Sequence, residues 1–86
     1  MSGIEQLLAV AHRYAESEGV PLSTVSSRAF NDGKKLAALE GGADISVGRL
    51  ERGLRWFADR LPEDKWPAEV PRPSAEDDIE ADEARA

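Results

Sequence analysis

The chain has 86 residues, enough for one domain, and its composition excludes several classes of protein. Hydrophobic residues make up 41% of it, but 13 of them are alanine, and 19 of the 22 larger ones lie between Ile4 and Trp66. The core therefore belongs to a unit of about 60 residues, near the lower limit for folding without disulfides or metals. The chain has no cysteine and one histidine, His12, which excludes disulfides and makes a zinc cage or a histidine-based catalytic triad implausible.

The net charge of −6 is concentrated at the C-terminal end of the chain. Residues 74–86 carry six acidic side chains against one arginine, a net of −5, which leaves −1 for residues 1–73. Residues 28–60 contain seven bases and five acids, a net of +2. The acidity therefore weakens a nucleic-acid-binding interpretation without excluding it.

Three further classes are disfavoured by what the sequence lacks. No apolar run approaches the roughly 20 residues of a membrane-spanning helix, and the first residues do not follow the pattern of a signal peptide. We therefore expect a cytoplasmic protein of a bacterium or phage, with no membrane partner. No acid, base and nucleophile converge on a plausible site, so we expect no enzyme activity, no catalytic residue, no metal site and no cofactor.

The hydrophobic pattern predicts four helices and no strand, because apolar residues recur at helical spacing and nowhere alternate usefully with period two. The first helix is predicted over residues 3–18, with Ser2 and Glu5 forming a capping box. The second is predicted over residues 24–30, with Ser23 as its N-cap. The first half of the chain is therefore predicted to contain one amphipathic helix followed by one short helix.

A turn signal over residues 31–33 separates the second helix from a third, predicted over residues 34–40. A fourth helix is predicted over residues 47–61, with Asp44 or Ser46 as its cap. The buried stripe expected along the fourth helix consists of Val47, Leu50, Leu54, Phe57, Ala58 and Leu61.

The character of the sequence changes after the fourth helix. Four prolines predict an extended segment over residues 62–73, which Trp66 and Val70 can anchor on the helices. Residues 74–86 are acidic and rich in small side chains, so they are predicted to be disordered. The expected organisation is thus a helical domain over residues 1–61, a proline-rich segment and an acidic tail.

The central part of the chain carries a more specific pattern. Leu22-Ser23 opens one helix, Leu39-Glu40-Gly41-Gly42 ends the next, and a helix capped by Ser46 follows. This pattern resembles the phage-repressor-like (Cro/C1, XRE-type) helix-turn-helix family over just under half of the chain, with a shorter turn than is usual there. The resemblance implies an all-α, lambda-repressor-like fold of four helices, with the third helix as the recognition helix in the major groove of DNA.

The resemblance and the charges together identify candidate DNA contacts. Gly33, Lys34 and Lys35 lie at the start of the third helix, where backbone N–H groups and the helix dipole favour a phosphate. Arg28, on the preceding helix, is expected to reach the backbone of the duplex, and Ala38 to offer at most an apolar contact to a base. The alternative for the two lysines is the ordinary solvated surface of an exposed turn.

A second candidate surface lies on the polar side of the fourth helix, where Arg49, Arg52, Arg55 and Trp56 are predicted to form an interface. Tryptophan and arginine are enriched at interface hot spots. Three alternatives remain open for Trp56: cover by the segment around Trp66 or by the first helix, a dimer or partner interface, or contact with nucleic acid.

The leading hypothesis is a small, nucleoid-associated transcriptional regulator that binds double-stranded DNA. Such modules read half-sites, so we expect a homodimer or a transcription-complex protein as a second partner. The alternative is a protein-interaction adaptor of a transcription or phage complex, which keeps the helix-turn-helix shape without strong DNA binding.

Overall fold

The structure, a computed structural model, describes residues 2–73, which form four α-helices and one 3₁₀ turn, with no strand among these residues. The all-α prediction is therefore confirmed for this part of the chain. No helix in it is both long enough and apolar enough to cross a lipid bilayer. The predicted disorder of residues 74–86 falls outside the described residues. The elements are α1 (Gly3–Glu18), α2 (Leu22–Phe30), α3 (Lys35–Glu40), α4 (Val47–Arg60) and the 3₁₀ turn Glu63–Lys65.

The first helix, α1, begins and ends as predicted. The Ser2 hydroxyl accepts a hydrogen bond from the Glu5 N–H at 3.2 Å, and the Glu5 carboxylate accepts one from the Ser2 N–H at 3.0 Å. The hydrogen bond from the Ser2 backbone, followed by that of its side chain, lowers the pKa of Glu5. Gly19 ends the helix with φ of +67°, a left-handed conformation that glycine adopts without steric cost.

The second helix, α2, begins two residues earlier than predicted, at Leu22. Pro21 is the N-cap, and its carbonyl accepts hydrogen bonds from the N–H groups of Thr24 and Val25 at 3.0 and 3.3 Å. Proline suits the start of a helix because its φ is fixed near the helical value and the N–H that it lacks is not needed there. The prediction that Ser23 caps the helix is therefore wrong; this residue lies in the first turn.

The turn between α2 and α3 is formed by Asn31 and Asp32. Asn31 has φ of +55° and donates its N–H to the Ser27 carbonyl at 2.9 Å, which ends α2. The Asp32 carboxylate accepts a hydrogen bond from the Lys34 N–H at 2.9 Å. The turn is confirmed, and α3 begins at Lys35, one residue later than predicted.

The fourth helix, α4, is capped by Ser46 and not by Asp44. The Ser46 hydroxyl accepts a hydrogen bond from the Arg49 N–H at 3.2 Å. Val47 is 70% exposed, so its predicted place in the buried stripe is wrong. It lies in the first turn of α4, where Ile45, just before the cap, packs against the core in its place.

The core lies around α1, which packs against the other three helices, while α2 also packs against α3 and α4. Each helix contributes at least one large side chain with no exposed surface: Leu7, Val10, Val25, Leu36 and Phe57. At the surface, the His12 ring nitrogen lies 2.6 Å from a Glu40 carboxylate oxygen, which links α1 to the end of α3.

The proline-rich segment folds back onto the helices, so the prediction that it is extended throughout is wrong. Glu63–Lys65 form a 3₁₀ turn that bonds back to the Pro62 carbonyl, and the Pro67 carbonyl accepts the Val70 N–H at 3.2 Å. Each of these prolines begins a turn, where its carbonyl is used and its missing N–H is not needed. The predicted anchoring is confirmed, because Trp66 and Val70 are both buried in the core.

Candidate nucleic-acid interface

A buried serine fixes the turn between α2 and α3. Ser26 has no exposed surface, and its hydroxyl donates a hydrogen bond to the Asp32 carbonyl at 2.6 Å. The same oxygen accepts the Leu36 N–H at 3.0 Å. One side chain therefore joins α2, the turn and the first turn of α3. Ser26 was not predicted as a site residue, because a serine beside Val25 on a short helix carries no signal of burial.

The third helix presents small side chains outward. Leu36 and Leu39 are buried against the core, whereas Ala37 and Ala38 are exposed. Lys34, immediately before the helix, is also exposed. We call Lys34, Ala37 and Ala38 the α3 surface. Because the side chains of Ala37 and Ala38 are short, another molecule can approach the helix backbone closely at these two positions.

The backbone N–H groups at the start of α3 already have partners within the chain. The Lys34 N–H is held by the Asp32 carboxylate, the Lys35 N–H by the Asp32 carbonyl at 3.2 Å, and the next one by Ser26. With these three N–H groups engaged, the Lys34 and Lys35 side chains are the main contacts that this end of the six-residue helix offers a phosphate. Lys34 is exposed, whereas Lys35 is half-buried and its ammonium lies 3.5 Å from the Asp44 carbonyl oxygen.

Arg28 lies on an exposed part of α2 and is held by α1. One of its guanidinium nitrogens lies 3.6 Å from a Glu18 carboxylate oxygen and donates a hydrogen bond to the Tyr14 hydroxyl at 3.4 Å. Gly33 is exposed in the turn that follows α2. The structure thus places Arg28 beside α1 and α4, while the two lysines lie at the start of α3.

An open cleft of about 440 Å³ lies between the end of α2 and α4. Three arginines supply its charge, and two aromatic rings supply apolar surface. We call it the arginine cleft; these five residues are Arg28, Phe30, Arg49, Arg52 and Trp56. It brings together one predicted DNA contact and three residues predicted to form an interface, a combination that the sequence did not reveal.

Gly53 allows the two helices that form the arginine cleft to approach each other. It is buried within α4, and a Cβ atom at this position would lie 2.8 Å from Phe30 Cζ and 3.3 Å from Leu7 Cδ1. A glycine inside a helix costs about 1 kcal/mol of helix propensity relative to alanine, and close packing is one reason for its presence there. Gly53 and Phe30 were not predicted as site residues, because the sequence does not show which of the two glycines of α4 faces another helix.

Trp56 is half-buried, and α1 contributes to its cover. Its ring packs edge-to-face against Tyr14 at 5.4 Å and against Phe57 at 5.1 Å between centroids. The Arg60 guanidinium lies over the ring, 4.1 Å from its centroid. Cover by the first helix is one of the alternatives that the sequence leaves open. The other tryptophan, Trp66, lies in the core and donates its indole N–H to the Val70 carbonyl at 2.8 Å.

Arg55 does not line the arginine cleft with the other three residues of the predicted interface. It is half-buried and lines a second groove of α4, together with Leu54, Arg72 and Pro73. Helical spacing predicts which residues share one side of α4, but it does not say which neighbouring segment covers each side.

Comparisons with protein-family models, curated proteins and solved structures give no significant match. The resemblance to the helix-turn-helix family therefore rests on the sequence pattern described above. Within residues 2–73, no group of three histidine, cysteine or acidic side chains is placed to hold a metal ion.

Proposed function

We propose that this chain is a small DNA-binding transcriptional regulator of the phage-repressor-like type, with α2 and α3 as its helix-turn-helix and α3 as the recognition helix. The observation that carries the proposal is the Ser26 hydroxyl, which holds α3 against α2 and the turn through two hydrogen bonds. A helix-turn-helix requires a fixed relation between its helices, because one contacts the DNA backbone while the other enters the major groove.

The α3 surface suits a groove-facing role. Ala37 and Ala38 are small and exposed, so the helix can approach base edges, and an alanine methyl can contact the methyl group of thymine. Lys34 and Lys35 supply positive charge for phosphates at the leading end of the helix. Because α3 contains no arginine, asparagine or glutamine for bidentate base pairing, we expect most of the affinity to come from the DNA backbone.

The charge distribution indicates a modest affinity for each chain. Residues 1–73 have a net charge of −1, so the attraction to DNA is local and not a property of the whole surface. Modules of this type read half-sites. A second copy or a protein of the transcription complex would supply the remaining affinity.

The proposal is tested by the binding of the full chain to a fluorescent pool of random duplexes, measured by anisotropy at two salt concentrations. The double variant Lys34→Ala/Lys35→Ala is compared with Arg13→Ala/Lys65→Ala, which removes two exposed charges outside α2 and α3. Both variants have a net charge of −8, since −6 − 2 = −8. The first is expected to weaken binding to all duplexes and to flatten the salt slope by about one or two units. The control is expected to keep the wild-type slope.

Two results would contradict this proposal: no binding by the wild-type chain at low salt, or equal losses in both double variants. The second would mean that only net charge matters. Circular dichroism of each variant establishes that the helices are retained.

The arginine cleft favours a second candidate, an adaptor of a transcription or phage complex that binds protein through this surface. Arginine and tryptophan are the residues most enriched at binding hot spots, and the cleft contains both. The same titration distinguishes the candidates, because an adaptor gives no duplex binding and no negative salt slope at low salt.

A further inference from the structure

The arginine cleft has more positive charge than the described part of the chain neutralises. Within residues 2–73, neither Arg49 nor Arg52 has a carboxylate partner. Arg28 is paired with Glu18, but the distance is 3.6 Å and the two side chains are 43% and 48% exposed. An exposed pair of this kind exchanges readily with another anion. The cleft therefore offers three guanidinium groups with one carboxylate among them.

The cleft also offers apolar surface between its charges. Phe30 and Trp56 are half-buried and line it together with Gly53. A matching occupant would be an acidic segment with an apolar side chain among its carboxylates, because arginine binds carboxylates in bidentate pairs while the rings bind apolar groups.

The chain itself contains such a segment. Residues 74–86 have one large apolar side chain, Ile79, with acidic residues on both sides of it. The six acids are Glu76, Asp77, Asp78, Glu80, Asp82 and Glu83.

The described part of the chain ends at α4, the helix that also forms one side of the cleft. Pro73 lines the second groove together with Glu51, Leu54 and Arg55 of α4, and α4 also provides two arginines of the cleft. A helix of 14 residues is about 21 Å long, whereas the 13 residues that follow Pro73 can span up to about 43 Å. The acidic segment can therefore cross from one side of α4 to the other with length to spare.

We propose that residues 74–86 bind in the arginine cleft of their own chain. Their carboxylates pair with the guanidinium groups of Arg49 and Arg52, and Ile79 packs on Phe30 and Trp56. A segment attached to the same chain binds at a high effective concentration, so several weak ion pairs are enough to hold it. The contact does not depend on whether the chain binds DNA.

The absence of cysteine allows a direct test on the full chain. In Ala81→Cys, a nitroxide attached to the new thiol has a unique position within the acidic segment. We expect the backbone amide signals of Asn31, Arg49 and Gly53 to lose intensity in ¹⁵N spectra, relative to the same sample after reduction of the nitroxide. At 1 M salt, where the screening length is about 3 Å, the loss is expected to disappear.

The matched variants separate the cleft from general charge attraction. Arg49→Gln/Arg52→Gln is expected to restore the amide intensities, while Arg13→Gln/Lys65→Gln, which removes the same charge elsewhere, leaves the loss in place. The dispersion of the same spectra establishes that each variant is folded. The salt titration of the labelled chain that keeps Arg49 and Arg52 tests the contact without any substitution in α4.

Three outcomes would overturn the proposal. The first is a loss of intensity centred on the α3 surface or on the groove of Arg55. The second is a loss that persists in Arg49→Gln/Arg52→Gln. The third is a loss that appears when spin-labelled chains without ¹⁵N are mixed with ¹⁵N chains that lack the label, because this identifies a second copy as the source of the segment.

Discussion

The Ser26 hydroxyl lies where α2, the turn and α3 meet, so its removal should weaken all three. In Ser26→Ala the Leu36 N–H stays buried without a partner, and we expect a loss of about 1–3 kcal/mol in the free energy of unfolding. Urea unfolding measures this loss, and hydrogen exchange should show faster exchange at Leu36. Ser27→Ala is the control, since that side chain is exposed and its removal should change stability by less than about 0.5 kcal/mol. Equal effects of the two substitutions would contradict the role assigned to Ser26.

The residues that sequence analysis placed correctly act over short distances along the chain. Ser2 and Glu5 are three residues apart, so their capping box could be recognised from spacing alone. The partner of Ser26 is ten residues away, at Leu36, and which side chains meet across a turn depends on how two helices pack. Pro21 was missed for a different reason: serine is the commoner cap, although the proline carbonyl serves the first turn equally well.

The two glycines of α4 allow the effect of helix propensity on stability to be measured separately from the effect of packing. Apart from the neighbouring backbone of α4 itself, nothing lies within 4 Å of the position that a Cβ would occupy at Gly48, so Gly48→Ala should stabilise the chain by up to about 1 kcal/mol. Gly53→Ala gains the same propensity, but its Cβ would lie 2.8 Å from Phe30, and overpacking typically costs about 1–3 kcal/mol. We therefore expect Gly53→Ala to be destabilising and to displace the Phe30 ring from its place in the arginine cleft. Thermal unfolding measures the change in stability, and the NMR signals of the Phe30 ring report its displacement. A Gly53→Ala variant as stable as Gly48→Ala would contradict this account.

The periodic pattern predicted each helix but not the surfaces that lie between helices. The four helices appear within two residues of their predicted starts, because apolar spacing and caps are encoded locally. The arginine cleft requires Arg28 of α2 to face Arg49 and Arg52 of α4, which no single helical pattern contains. Val47 illustrates the same limit: its angle matched the buried stripe, but its side chain in the first turn of α4 is left exposed.

In the whole molecule, the two proposals concern different surfaces and can fail separately. DNA binding rests on the α3 surface and on Lys35, the first residue of the helix. Binding of residues 74–86 rests on Arg49 and Arg52, which line the arginine cleft. A variant of one surface that leaves the other measurement unchanged would establish this independence.

The segment after α4 is part of the folded unit, because two of its side chains are buried in the core. Trp66 and Val70 are 8% and 3% exposed and are joined by a hydrogen bond from the indole N–H. Arg72 joins the same segment to the end of α4. Its guanidinium donates hydrogen bonds to the Ala58 and Leu61 carbonyls at 2.7 and 3.1 Å. Because the core is small, we expect these contacts to contribute a large share of the stability.

The two tryptophans should therefore differ sharply in what they contribute. Trp66→Ala removes a buried ring, and we expect a loss of about 3–5 kcal/mol, comparable to the stability that a core of this size supplies, so that a large fraction of the molecules unfolds. Trp56 is half-buried between Tyr14 and Arg60, and Trp56→Ala should lose about 1–3 kcal/mol and remain folded. Thermal melts followed by circular dichroism establish the order, and equilibrium sedimentation of the same samples measures self-association. A Trp56→Ala variant that keeps the wild-type melting temperature but changes from a dimer to a monomer would contradict this order, because it would show that a second chain and not α1 provides the cover that matters at Trp56.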